Sequence, residues 1–355
     1  MQTDFHHGAT YALARLAGFP REAAQIVATA AQYVDDATNS GLVRFDNGAL
    51  YERLATAHRM LDYRNFRELA NHRVWVPFHF LPGNQGLPAG QNPTGEFADK
   101  LICTPNSPVA RDMVAAAIAG RHEGFALHRL GITLHVYADT WAHAGFSGVS
   151  HAHNEVSEVV TAEGHTDAPL MERLKGYFVG EALPLGHGPV LSYPDRPWLV
   201  WGYTDGRGRR IYRDNPAIYL EAAEHLLIAL RRYLAGDAAA AVPGLSARDR
   251  DVMHTLLVQC RDPDERVRHA AWLSAIGDGS FSFGADPGLT YTAKGEGSWK
   301  HAALGTTREV DDSDEIMPFH RSFLSSDWKR FHDAALVHRL HLITSILPRY
   351  GVCGA

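Results

Sequence analysis

The chain has 355 residues, enough to bury a sizeable core in one large domain or two ordinary ones. Its formal charge is -6 and its positive residues are dispersed, which excludes the basic stripe that tracks the phosphates of double-stranded nucleic acid. Three scattered cysteines, Cys103, Cys260 and Cys353, exclude a disulfide framework and a thiolate zinc site of CxxC spacing, while 21 histidines make imidazole the metal ligand to look for.

The first residues, MQTDFHHGATYALARLAGF, hold no basic stretch followed by an apolar one, and no later run approaches the roughly 18–20 apolar residues of a membrane span. A cytoplasmic protein is the expectation. Asp4, His6 and His7 stand just ahead of the first apolar run. Residues 20–36 carry Ile26, Val27, Ala30, Tyr33 and Val34 at helical spacing behind a proline and Glu22, which predicts a helix. That helix closes on Asp35 and Asp36, where its dipole disfavours negative charge and a cation would offset the cost. Asp36 is taken slightly ahead of Asp35. A helix is expected over 51–70, followed by NHRVWVPFHF, which sets His79 among aromatic neighbours.

A long helix over 107–143, interrupted near Gly120 and Gly124, comes next, and further helices are expected over 216–235, 247–276 and 326–346. Residues 198–212 predict a short hairpin about Thr204-Asp205-Gly206, and 281–304 a glycine- and aromatic-rich loop. With no internal repeat and no linker, the expected fold is all-α: a single multi-helix domain over 1–355 with loop insertions at 180–215 and 278–305, most ligands lying in 1–160.

The strongest chemical signal is LHRLGITLHVYADTWAHAGFSG, where His135, Asp139 and His143 follow one another at intervals of four. On a helix they fall within an arc of about 80°. His135 and His143 would stand about 12 Å apart along the axis, so two ions with Asp139 between them fit better than one. Next come His151, His153 and Glu155 in SHAHNEVSE; a helical turn would aim His151 and Glu155 at one ion together with His143, leaving a coordination position for water. In the aromatic loops Trp201 and Trp299 are candidates to wall a substrate pocket, with His187 or Arg196 contacting an anionic group. His332, His338 and His341 read as core or surface residues of the last helix.

HVYAD with its following histidine, then HAHNE, resembles the zinc-dependent phospholipase C and S1/P1 nuclease superfamily, whose mark is HxxxD, a nearby histidine and HxxxE. The resemblance implies an all-helical domain holding three zinc ions. It places His135 and Asp139 on the HxxxD pair, His143 on the next histidine and His151 with Glu155 on the HxxxE pair, and matches His6 or His7, Asp36 and His79 to the earlier ligands by order. Across nearly the whole chain, DFHHGATYALARLAGF, AQYVDDATNSG, NHRVWVPFHFLPG and YADTWAHAGFSG resemble an uncharacterised bacterial and fungal family of unknown function of the DUF6765 type.

The expectation is a hydrolase of phosphoester bonds acting on a small-molecule or lipid substrate through two or three Zn2+ ions, with Asp36 as general base for the attacking water. Two alternatives stand beside it. The same ligands could hold iron or manganese for oxidative chemistry, or the metals could stabilise a non-catalytic binding protein, a role in which thiolates are the usual ligands.

Overall fold

The structure, a computed structural model, describes residues 1–58, 68–162, 186, 190, 192–309 and 315–353. A π-helical turn, Asp4–Ala9, leads into α1 (Thr10–Ala17) and α2 (Arg21–Asp36). Strands β1 (Gly41–Phe45) and β2 (Leu50–Arg53) precede α3 (Glu68–Phe78), α4 (Ala98–Leu101), α5 (Pro108–Ala119) and α6 (Ala126–Ala142). Then come β3 (Val156–Thr161), β4 (Val200–Asp205), β5 (Arg210–Asp214), α7 (Asn215–Ala235), α8 (Ala247–Gln259) and α9 (Glu265–Asp278). Helix α10 (Trp299–Leu304), strand β6 (Ile316–Met317) and helix α11 (Asp327–His341) complete the order. No helix among the described residues is long and apolar enough to cross a membrane.

The expected all-α fold is overturned. The chain is 52% helix and 10% strand, the strands forming two three-stranded sheets, which makes it a mixed α/β fold. In the first sheet, ordered β2-β1-β6, β1 pairs antiparallel with β2 and parallel with β6. Val43 and Phe45 alternate inward, and Asp46-Asn47-Gly48 supplies a tight turn with Gly48 at φ 83°, a conformation that glycine adopts freely. Residues 51–53, expected to begin a helix, are therefore strand. Residues 59–67 of that expected helix lie outside the described residues, and helix resumes at Glu68.

The second sheet, β3-β4-β5, contains the expected hairpin as β4 and β5. Strand β3 adds to it because Val156, Val159, Val160 and Thr161 are β-branched and suit a pleated surface. The expected 107–143 helix divides into α5 and α6 around Gly120, and the 247–276 helix into α8 and α9 on either side of Pro263.

Helix α6 runs through the centre, buried at every position from His128 to Ala142. A helix hidden on all sides must find partners for its polar groups, and that necessity builds the site. Helix α2 lies unusually close against it: a Cβ on Gly131 would stand 2.3 Å from the Val27 carbonyl oxygen and 2.6 Å from the Ala30 Cβ. Gly131→Val is accordingly expected to lower stability by about 1–3 kcal/mol through overpacking, read as a fall in the urea midpoint. An unchanged midpoint would mean that the two helices tolerate a wider spacing.

Candidate metal centre

Four segments distant in sequence meet over the middle of α6. The π-helical turn brings His6, the last turn of α2 brings Asp35, the residue after α3 brings His79, and α6 brings His135 and Asp139, one turn apart. His6, His79, His135 and Asp139 are all buried, while the Asp35 side chain is 31% exposed and opens the cluster to solvent.

The histidines are oriented by backbone carbonyls. His135 Nδ1 donates to the Ala31 carbonyl at 2.8 Å, and His79 Nε2 donates to the Thr56 carbonyl at 2.9 Å. A carbonyl can only accept, so each ring carries a proton on that side, and in the neutral form that binds a metal its lone pair is on the other. Those lone pairs, on His135 Nε2 and His79 Nδ1, confront each other at 3.2 Å. Asp139 Oδ2 lies 3.3 Å from the first and 3.4 Å from the second. Metal–ligand bonds of about 2.0–2.1 Å at tetrahedral angles space neighbouring ligand atoms about 3.3–3.4 Å apart. The triangle of two nitrogens and one oxygen has edges close to those, and Asp35 Oδ1 lies 3.8 Å from both nitrogens.

The other carboxylate oxygen faces a different set. Asp139 Oδ1 is 3.2 Å from His6 Nε2 and 2.7 Å from the Met1 amino group, which also lies 3.2 Å from Asp195 Oδ1. Among the described residues neither ring nitrogen of His6 has a hydrogen-bond partner, so the His6–Asp139 approach is a close contact without hydrogen-bond alignment. The His6 ring stacks on His135 with centroids 3.8 Å apart. Asp139 thus presents one oxygen to each of two groups of donors.

Electrostatics fits cation binding. Burial lowers His6 well below its ordinary pKa, helped by the charge of the amino terminus, and burial brings His135 to about 4 against the pull of Asp139. Both rings are neutral, as ligands must be. Burial pushes the Asp139 carboxyl up, yet His143, the amino terminus, His135 and His6 together hold it well below the usual range. Asp35 goes the other way, raised well above its ordinary value by burial and then by Asp139. A cation between the two carboxylates would reverse that penalty.

The remaining candidates lie around this cluster or away from it. Asp36 turns from Asp35 and accepts from the Tyr291 hydroxyl at 2.6 Å and Gln32 Nε2 at 3.2 Å. His7 faces His269, Nδ1 to Nε2 2.9 Å. His143 caps α6 and donates through Nδ1 to the His79 carbonyl at 2.7 Å, holding the backbone that carries His79. Its Nδ1 is also 3.6 Å from Asp139 Oδ2. His151 and His153 bond each other, Nδ1 to Nδ1 2.7 Å, across a short 3-10 turn, and exposed Glu155 leads into β3, so the HxxxE residues share no helical face. Arg196 donates to Ser192 and lies over the Tyr193 ring. Trp201 is core, its indole N–H bonded to Asn215, and Trp299 packs beside Tyr33, His128 and Phe331. His187 lies outside the described residues.

Sequence reasoning left Asp35 behind Asp36, although a signal was present. Val27, Ala31 and Asp35 repeat at intervals of four along the face of α2 that meets α6, whereas Asp36 follows Gln32. Asp195 and Tyr291 come from loops and reach the site only through tertiary packing, so the sequence carries no local sign of them.

Comparison with known proteins finds no match among curated proteins and none among solved structures. The expected likeness to the phospholipase and nuclease superfamily finds no support there. Residues 1–346 match the model of a family of unknown function, DUF6765. The chain is a member of that family.

Proposed function

We propose that the protein is a metal-dependent hydrolase of phosphoester bonds, with His79, His135 and Asp139 holding an ion and Asp35 standing at its open side. The observation that carries this reading is the pair of imidazole nitrogens facing each other at 3.2 Å beside a carboxylate oxygen, each ring held from behind by a backbone carbonyl. A cation relieves that arrangement, and nitrogen and carboxylate donors without thiolate suit zinc.

Bound there, a divalent ion supplies a water of lowered pKa and neutralises charge on a phosphate. The residues do the rest. The Ala31 and Thr56 carbonyls fix the rings of His135 and His79, and the Met1 amino group at 2.7 Å holds the second oxygen of Asp139. Asp35, partly exposed at the edge of the cluster, is positioned to accept a proton from a water there, the role expected of Asp36. That exposure also argues against a closed structural site.

The test is hydrolysis of an activated phosphodiester by protein loaded with zinc, before and after chelation. Asp35→Asn is expected to lower kcat/KM by about 10²–10³, and Asp36→Asn by less than about tenfold, since its amide can keep the Tyr291 contact. Equal losses in the two variants would remove Asp35 from the role. A second reading rests on two histidines and one carboxylate forming a single triangular face, an arrangement iron(II) also accepts. Iron in the purified protein, with absorbance that changes on reduction, would favour it over hydrolysis.

A further inference from the structure

The end of α2 sets two carboxylates side by side, and only one of them joins the cluster. Val27, Ala31 and Asp35 share the face of α2 that meets α6, and the next residue is turned from that face by about 100°, which carries Asp36 off it. The separation is nonetheless small. Gln32 Nε2 lies 3.2 Å from Asp36 Oδ2 and 3.5 Å from Asp35 Oδ2, so one amide nitrogen spans both side chains. A cation bound beside Asp35 would therefore attract Asp36 as well.

The restraint on Asp36 comes from 255 residues along the chain, where the Tyr291 hydroxyl donates to its Oδ2 at 2.6 Å. This is a short, charge-assisted bond. Burial, then Asp36, pushes the phenol well above its ordinary pKa, so Tyr291 stays protonated and is the donor. Its ring packs beside His7 with centroids 5.1 Å apart, and Lys294, three residues on, donates to the Thr38 hydroxyl at 3.2 Å. The loop is thus fastened twice to the end of α2. Among the described residues, Tyr291 and Gln32 are the donors to the Asp36 side chain.

We propose that Tyr291 is a positioning residue of the metal centre: its hydrogen bond keeps Asp36 off the ion, so that Asp35 alone stands at the open side and a coordination position is left for water or substrate. The proposal rests on the metal centre put forward above, and not on which bond that centre hydrolyses. To become a ligand, Asp36 must give up the bond from Tyr291, and a hydrogen bond to a charged group shifts such an equilibrium by about ten- to a hundredfold.

Cobalt(II) titration of the chelated full chain, followed by visible absorption, reads affinity and coordination together, because tetrahedral cobalt absorbs far more strongly than cobalt of higher coordination. Tyr291→Phe is expected to bind cobalt at least about tenfold more tightly than the wild type, with weaker absorption as Asp36 joins the ion. Asp36→Asn, whose amide oxygen still accepts from Tyr291, is expected to bind as the wild type does, and Tyr291→Phe added to it is expected to change neither quantity further. A Tyr291→Phe protein with wild-type affinity and spectrum would overturn the proposal. So would a change that persists in the Asp36→Asn background, which is what a merely structural tyrosine would give. A wild type that takes up no cobalt would remove the metal centre itself, and the proposal with it.

Discussion

His135→Ala is expected to strip metal from the protein, to less than about one tenth of the wild-type content by elemental analysis. His135 Nε2 lies within 3.8 Å of His79, Asp139 and Asp35, so its removal opens an edge of every triangle that can hold the ion. The same variant leaves the Ala31 carbonyl without its donor and a cavity beside α2, so stability would fall whether or not metal mattered. The separating measurement is thermal unfolding with and without chelator. A ligand bound only to the native state at a hundred times its Kd adds about 2.7 kcal/mol, so chelation should lower the wild-type Tm. The melting of His135→Ala and of Asp139→Asn, the gentler substitution, should be indifferent to chelator. Full metal content in either variant would sink the ligand assignment.

Much of this centre was legible because α6 is a regular helix. Spacing of four places His135 and Asp139 on one face, and burying them among Leu134, Tyr137 and Trp141 is costly without a partner. The same rule failed where the helix stopped. α6 ends at Ala142, and the His143 ring turns back to the carbonyl of His79. His151 and Glu155 flank a 3-10 turn, Ala152–Asn154, that runs straight into β3, so a spacing of four carries no α-helical meaning there.

The fold class was lost for a related reason. Asp46-Asn47-Gly48 between Val43, Phe45 and Tyr51 is a hairpin signal, but the apolar residues that follow favoured a helix, and the two patterns overlap at residues 51–53. Strand β6, two residues long and paired parallel to β1 from over 250 residues away, offers no periodicity to read. The site was easier to see than the fold because its chemistry is concentrated on α6, while the sheets are defined by partners remote in the chain.

Arg268→Ala should be the most damaging substitution outside the metal ligands. Arg268 on α9 is buried and donates to Asp4 Oδ2 at 2.7 Å, and Asp4 opens the same π-helical turn that carries His6. Burial raises the Asp4 carboxyl above its ordinary pKa even with the guanidinium beside it, so the ionised form depends on that partner. Truncation leaves a buried charge uncompensated, at about 3–5 kcal/mol. Helix α9 also packs tightly on this turn, since a Cβ on Gly8 would meet the Trp272 Cβ at 2.8 Å, so a shift of one element moves the other. Two effects are therefore expected together: a large fall in the urea midpoint, and weaker metal binding as His6 leaves Asp139. The double variant Asp4→Leu with Arg268→Met removes both charges and should cost less than Arg268→Ala alone, because the penalty lies in the orphaned carboxylate and not in the lost pair. An Arg268→Ala protein within about 0.5 kcal/mol of wild type would show that Asp4 takes up a proton or reaches water instead, and that the turn holding His6 is secured by other contacts.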